Sequence, residues 1–84
     1  MNCYLISYDL HKKRNYELIH DGIDRVSKKI WVKVLESSYL IRSDLNSVEI
    51  RDFLLKFIDE DDSLFVINVN INDWATKEVS KDLT

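Results

Sequence analysis

Alternation of apolar side chains predicts a strand near each end of the chain. Residues 2–9 alternate and present two sets of side chains on opposite faces: Tyr4, Ile6 and Tyr8 on one, and Cys3, Leu5 and Ser7 on the other. Residues 64–72 alternate most regularly, with Phe65, Ile67, Val69 and Ile71 on one face and three asparagines on the other. A period of two residues is typical of strands, and we predict that the first strand ends at Asp9.

Apolar residues at three- and four-residue spacing predict two amphipathic helices between these strands. The first helix is expected to begin at Asn15, a residue type that caps helices, and its apolar stripe consists of Tyr16, Ile19, Ile23, Val26 and Ile30. The second helix is expected to begin near Ser47, and its stripe consists of Ile50, Phe53, Leu54, Phe57 and Ile58. The acidic run 59–62 would oppose the helix dipole, which predicts a solvated loop there.

The region between the helices, residues 31–43, is rich in β-branched and aromatic side chains and therefore favours strands. Two interpretations fit: a tight turn at Glu36 and Ser37 between two strands, or a bulge within one long strand. We favour two strands, since an extra strand pairing helps to cover the helices. The order β-α-β-β-α-β then predicts an α+β, ferredoxin-like fold, with a four-stranded antiparallel sheet and both helices on one face.

A chain of 84 residues predicts a single domain, residues 1–84. Hydrophobic residues make up 45% and charged residues 32%, as in folded soluble proteins. No apolar run approaches the ~20 residues that cross a bilayer, and the start lacks the regions of a signal peptide. With Cys3 as the single cysteine, these features favour a cytoplasmic protein without membrane partners. Residues 73–84 are a predicted short tail that docks through Trp74, on a dimer partner in the simplest arrangement.

The net charge of −3 conceals an asymmetry between the two halves of the chain. Residues 1–42 have a net charge of +3, and residues 43–84 have a net charge of −6. The overall acidity argues against a protein that coats nucleic acid with its whole surface. A local basic face in the first half remains compatible with nucleic-acid binding.

Asp9 has the most informative position among the acidic residues. It comes directly after a predicted strand, which would hold its carboxylate rigidly at the surface, as a metal ligand requires. One carboxylate is too few for a divalent site, but a two-fold axis would supply a second one, and Mg²⁺ commonly uses one or two carboxylates with waters and a substrate phosphate. The alternative is that Asp9 only starts a turn. Spacing alone leaves both interpretations open.

The predicted loop after Asp9 is basic and reads HKKR at residues 11–14. Lys12, Lys13 and Arg14 could bind phosphate oxygens, which would position a nucleic acid without reading its sequence. His11 is the histidine nearest to Asp9 along the chain and is therefore the candidate general acid or base. The alternative is a solvated loop with an inert histidine.

Several other chemistries lack their sequence motifs. The only glycine, Gly22, lies within a helical pattern, which excludes a phosphate-binding glycine loop. No cysteine–histidine spacing indicates zinc, and no nucleophile motif surrounds Ser37 and Ser38. The acidic run 59–62 lacks the spaced ligands and the glycine of a calcium loop. For the tyrosines and tryptophans, packing in the core or an interface is expected rather than stacking on bases.

Four segments of the chain carry a family resemblance: residues 5–10 (LISYDL), 35–41 (LESSYLI), 62–67 (DSLFVI) and 72–75 (NDWA). They resemble, in the same order, segments of the CRISPR-associated protein 2 superfamily. The last segment is similar to that of a small bacterial and phage branch of SinR-like proteins. Virulence-associated protein D toxins, which are ribonucleases, belong to the same superfamily.

The resemblance implies a homodimer of ferredoxin-like protomers whose sheets face each other. It implies that Asp9 of each chain binds Mg²⁺ or Mn²⁺ for cleavage of RNA or DNA, and that Arg14 is the nearest equivalent of the family's basic residues. Superfamily members also act as non-catalytic scaffolds that hold DNA together with an integrase in antiviral defence.

We therefore expect a small dimeric metal-dependent endonuclease or endoribonuclease, with Asp9 and His11 as catalytic residues and Lys12, Lys13 and Arg14 as nucleic-acid ligands. One alternative is a non-catalytic homodimer that binds nucleic acid or another protein, such as an integrase. Another alternative is the ribonuclease toxin of a toxin–antitoxin pair, with the antitoxin as its partner.

Overall fold

The helices and strands follow the order β-α-β-β-α-β in the computed structural model, which describes residues 1–69. The elements are β1 (Asn2–Asp9), α1 (Lys13–Ser27), β2 (Trp31–Leu35), β3 (Ser38–Ser43), α2 (Ser47–Leu54), a short 3-10 helix (Leu55–Phe57) and β4 (Ser63–Asn68). The four strands form one antiparallel sheet in the order β2-β3-β1-β4. This arrangement is the predicted α+β, ferredoxin-like fold.

One face of the sheet packs against both helices and contains the core. The buried side chains are Tyr4, Ile6 and Tyr8 from β1, Tyr39 and Ile41 from β3, Ile19, Ile23 and Val26 from α1, and Ile50 and Leu54 from α2. The predicted face of β1 is thus confirmed as core, as are Ile19, Ile23 and Val26 of the first predicted stripe and Ile50 and Leu54 of the second. Within residues 1–69, no helix is long and apolar enough to span a bilayer.

The first helix begins and ends earlier than its sequence pattern predicts. It starts at Lys13, and Lys12 stands at the N-cap position without a side-chain capping bond, so the prediction of Asn15 as the cap is wrong. At the other end, Lys28 and Lys29 adopt left-handed backbone angles, with φ of 51° and 68°. The chain therefore leaves the helix before Ile30, which is 44% exposed and does not continue the buried stripe.

The connections that precede β3 and α2 lie within one residue of their predicted positions. Two strands flank a turn at Glu36 and Ser37, as we favoured, and the register between β2 and β3 is irregular near Lys33. The N-cap of α2 is Asn46, one residue before the predicted Ser47. Asn46 accepts the N–H of Glu49 at 2.9 Å, and its own N–H donates to the Glu49 carboxylate at 3.0 Å, which forms a capping box.

The second face of the sheet has no helix on it within residues 1–69. Strand register places an apolar row across all four strands of this open face: Val32, Leu40, Leu5 and Ile67. Phe65 lies beside that row and is 56% exposed, while Ile67 is 43% exposed. In β4 it is Leu64 and Val66 that pack towards the helices. The predicted extension of this strand to residue 72 and the predicted tail 73–84 lie outside the described residues.

Candidate functional site

Asp9 lies at the end of β1, a central strand of the sheet, opposite Ser63 of β4. Strand alternation puts it on the open face with Leu5 and Ser7, and it is exposed. A shallow depression there is lined by Ser7, Tyr8, Asp9, Ser63, Leu64 and Phe65. The Asp9 side chain has no hydrogen-bond or ion-pair partner within residues 1–69. An exposed carboxylate on a rigid strand end is available as a ligand for a hard cation.

A polar clamp joins the start of α1 and the residues just before it to the acidic loop before β4; it consists of Asn15, Asp59, Asp62, Lys12 and the backbone of His11. The buried Asn15 amide donates to Asp62 at 2.8 Å and to Asp59 at 3.2 Å. The backbone N–H groups of His11 and Asp59 each donate to Asp62 at 2.8 Å. Lys12 Nζ lies 3.0 Å from the Asp59 carboxylate.

Hydrogen bonds in the polar clamp favour the ionised carboxylates. The Lys12 ammonium and then the Asn15 amide lower the pKa of Asp59. The backbone N–H of Asp59, followed by the N–H of His11 and the Asn15 amide, lowers the pKa of Asp62. The predicted loop at 59–62 is confirmed, and Glu60 and Asp61 are exposed in it, whereas Asp59 and Asp62 are half-buried and hydrogen-bonded. A sequence pattern cannot show that two segments 44 residues apart meet, as Asn15 and Asp59 do.

The acidic loop is also the single group of possible metal ligands within residues 1–69. Carboxylate oxygens of Asp59, Asp61 and Asp62 lie within 4.8 Å of one another. Lys12 already pairs with Asp59, and Asn15 donates to two of the three carboxylates. A cation would have to displace these donors, and Asp9, the predicted metal ligand, is not in the group. The hydrogen bonds and the ion pair of the polar clamp therefore account for the arrangement of the carboxylates in this loop.

The basic residues after Asp9 do not all have the same surroundings. Lys13 and Arg14 are exposed in the first turn of α1 and have no ion pair within residues 1–69, whereas Lys12 is engaged by Asp59. His11 is exposed, and its backbone is fixed by the polar clamp. None of these four residues lines the depression beside Asp9. The structure thus groups Asp9 with Ser7, Ser63 and Phe65, and it places residues 11–14 beyond the strand end.

An aromatic cluster on the helix side was not predicted from the sequence. His20 Nδ1 lies 3.0 Å from the Tyr39 hydroxyl, and the His20 and Trp31 rings meet edge to face at 4.8 Å. The Trp31 indole N–H donates to Asp24 at 2.6 Å. Burial raises the pKa of Tyr39, and burial followed by the neighbouring Tyr39 raises that of Tyr8. The missed signal is the four-residue spacing of Tyr16, His20 and Asp24 along α1.

The cluster lies beside an open groove of about 550 Å³ between α1 and the edge strand β2. We call it the α1–β2 groove; it is lined by Tyr16, Glu17, His20 and Asp21 from α1 and by Trp31 and Lys33 from β2, next to the buried Tyr39. The groove opens on the helix side of the sheet, since Trp31 and Lys33 pair with the helix-facing Ile41 and Tyr39. It is therefore separate from the depression at Asp9.

Comparison with known proteins does not assign the chain to a family. No protein-family model matches the sequence, and no curated protein matches it. The fold places Asp9 at the margin of an open apolar sheet face.

Proposed function

We propose that the protein is a homodimeric, metal-dependent nuclease in which Asp9 from each of two chains holds one Mg²⁺ or Mn²⁺ ion. The observation that carries the proposal is that Asp9 is exposed at a strand end on the same face as an uncovered apolar row. Dimerisation through that face would place the Asp9 residues of both chains at the same interface. The resemblance to the CRISPR-associated protein 2 superfamily supports the same arrangement.

The open face has the character of a protein interface. Leu5 and Leu40 are half-buried at its centre, while Phe65 and Ile67 remain 56% and 43% exposed. A stable interface commonly removes about 800 Å² from each partner. A two-fold axis makes the contact self-complementary, so one apolar patch can cover its own copy. This covering also suits an 84-residue domain, whose own core is small.

The chain's residues fit a divalent cation at Asp9 in donor type and in accessibility. A carboxylate is the oxygen ligand that Mg²⁺ and Mn²⁺ prefer, and one carboxylate from each chain with waters and a phosphate completes such a site. The bound metal would supply positive charge where negative charge develops on the phosphate. The Ser7 and Ser63 hydroxyls, which line the same depression, can donate to phosphate oxygens.

The remaining residues have positioning and proton-transfer roles in this proposal. Lys13 and Arg14 bind phosphates on either side of the cleaved one, because their charges are not neutralised within residues 1–69. Lys12 contributes when it leaves Asp59. As the oxygen of the attacking water bonds to phosphorus and the ester P–O bond breaks, the water loses a proton to the solvent and His11 donates a proton to the leaving oxygen.

Cleavage of labelled RNA and DNA in the presence of Mg²⁺ or Mn²⁺ tests the nuclease. Wild-type protein is compared with Asp9→Asn and with the matched control Asp44→Asn, which removes the same charge from an exposed position outside the depression. We expect cleavage by wild type and by the control, and a loss of at least about a hundredfold in Asp9→Asn. Equal cleavage by all three would remove Asp9 from the mechanism.

The second candidate function is a non-catalytic homodimer that binds nucleic acid or another protein. It is favoured by the isolation of Asp9, which belongs to no group of metal ligands within residues 1–69. It predicts a dimer without cleavage, and full nucleic-acid binding by Asp9→Asn. A toxin role would show itself as growth arrest on expression, relieved by a neighbouring gene product.

A further inference from the structure

We propose that the α1–β2 groove binds an alkylguanidinium cation, the chemical group of an arginine side chain. The proposal rests on the aromatic wall and the charges of this groove and is independent of the nuclease proposal. The groove lies on the helix side of the sheet, away from the open face, so occupation of one site does not depend on the other.

The aromatic wall of the groove is held in place. The Trp31 indole is fixed at one end by its 2.6 Å hydrogen bond to Asp24. Edge-to-face contacts with His20 at 4.8 Å and with Tyr39 at 5.4 Å hold the ring laterally. Trp31 and Tyr16 are still only half-buried, so part of each ring faces the groove. A rigid, partly exposed indole is the aromatic surface on which a cation is bound best.

The charge at the rim of the groove selects a cation. Glu17 and Asp21 are four residues apart on α1 and therefore lie on the same side of the helix. Both are exposed, and neither has an ion pair or a hydrogen bond from its side chain within residues 1–69. Lys33 is the one cationic side chain opposite them in the lining, and it does not reach either carboxylate within ion-pair distance. The groove thus has unneutralised negative charge next to an aromatic surface.

Two other ligand classes fit less well. A metal ion requires converging ligands, but Glu17, His20 and Asp21 do not form a close group, since the acidic loop is the only such group within residues 1–69. A nucleotide could stack on Trp31, but its phosphate would face two carboxylates. A guanidinium satisfies both features, because its plane stacks on an aromatic ring while its N–H groups bond to carboxylates.

Titration followed through the indole N–H resonance of Trp31 in ¹H–¹⁵N spectra tests the proposal. A Trp74→Phe background leaves one indole signal. The ligands are a capped glycine–arginine–glycine peptide, its citrulline analogue, which has the same shape without the charge, and methylguanidinium. We expect saturable shifts with the arginine peptide at millimolar concentrations and none with citrulline. Comparable binding of methylguanidinium would identify a small free cation as a sufficient ligand. If methylguanidinium does not bind while the arginine peptide does, the ligand is arginine within a protein partner.

Three variants connect the binding to the groove. Glu17→Gln combined with Asp21→Asn should weaken binding about tenfold, as expected for a partly desolvated cation site. Asp44→Asn, which is outside the groove, should leave binding unchanged. Lys33→Gln should tighten binding about two- to threefold, because it removes the competing charge. Equal shifts with citrulline, no shift up to about 50 mM arginine peptide, or unchanged affinity in the double variant would overturn the proposal.

Discussion

Replacement of Asn15 by aspartate tests the polar clamp most sharply, because it reverses the hydrogen-bonding role of one buried group at constant shape. The Asn15 side chain is 2% exposed and donates to both Asp59 and Asp62. In Asn15→Asp, a protonated carboxyl keeps one donor, its O–H, so at least one of the two donated bonds is lost, at a cost of about 1 kcal/mol. The new carboxylate would also be buried beside two others. The group can avoid a buried charge by remaining protonated. At pH 7 this requires its pKa to rise by about three units, which costs at most about 4 kcal/mol.

The expected loss of unfolding free energy at pH 7 is therefore about 3–5 kcal/mol, a large fraction of the roughly 4–12 kcal/mol available to a domain of this length. At pH 5, protonating the introduced carboxyl costs only about 1.4 kcal/mol. The stability difference from wild type should therefore shrink by about 2–3 kcal/mol on acidification. Wild type should lose stability as the pH falls, because the lowered pKa values of Asp59 and Asp62 make their ionised forms stabilising.

Urea unfolding followed by circular dichroism at pH 7 and pH 5 measures both differences. The matched control is Asn2→Asp, the same chemical change at an exposed position, which should alter stability by less than about 0.5 kcal/mol. If Asn15→Asp is unfolded at pH 7, its recovery of structure on acidification gives the same information. A variant within about 0.5 kcal/mol of wild type at both pH values would refute the clamp as a stabilising contact.

Three further outcomes are expected. Phe65→Glu places a charge on the open face and should convert a dimer to a monomer in light scattering, whereas Leu55→Glu, a matched change at a 50% exposed position on the 3-10 helix, should not. Gly22→Ala adds a methyl group that would lie 2.8 Å from Phe57 and 2.9 Å from the buried Leu54, and thermal melting should show a loss of about 1–2 kcal/mol despite the better helix propensity of alanine. Acid titration of wild type should show stability falling as Asp59 and Asp62 protonate, and Asp62→Asn should flatten this slope.

The fold could be predicted from the sequence because each element has its own periodicity. The sequence pattern predicts which faces meet in the core: the face of β1 with Tyr4, Ile6 and Tyr8, and the helix stripes around Ile23 and Ile50. The βαββαβ order then allows few topologies. In β4 the alternation predicts the strand but not which of its faces is buried, because Leu64 and Val66 are apolar as well, and only the pairing with β1 shows that Phe65 is on the open face.

The site was less predictable, because it depends on contacts between distant segments. The position of Asp9 at a strand end followed from alternation alone. The engagement of Lys12 and Asn15 by the acidic loop did not, since nothing in either segment encodes their approach. Asn15 has the residue type of a helix cap, but its amide satisfies two carboxylates instead, so a tertiary contact overrides the local preference.

The most direct test of the central claim is the stoichiometry of Mn²⁺ binding, measured by electron paramagnetic resonance on protein whose mass is fixed by light scattering. A site shared by two Asp9 carboxylates predicts one Mn²⁺ per two chains, lost in Asp9→Asn, retained in Asp44→Asn, and lost together with the dimer in Phe65→Glu. Binding of one ion per chain that survives Asp9→Asn, or a dimer that binds no Mn²⁺ at millimolar concentration, would contradict a metal site at the two-fold axis.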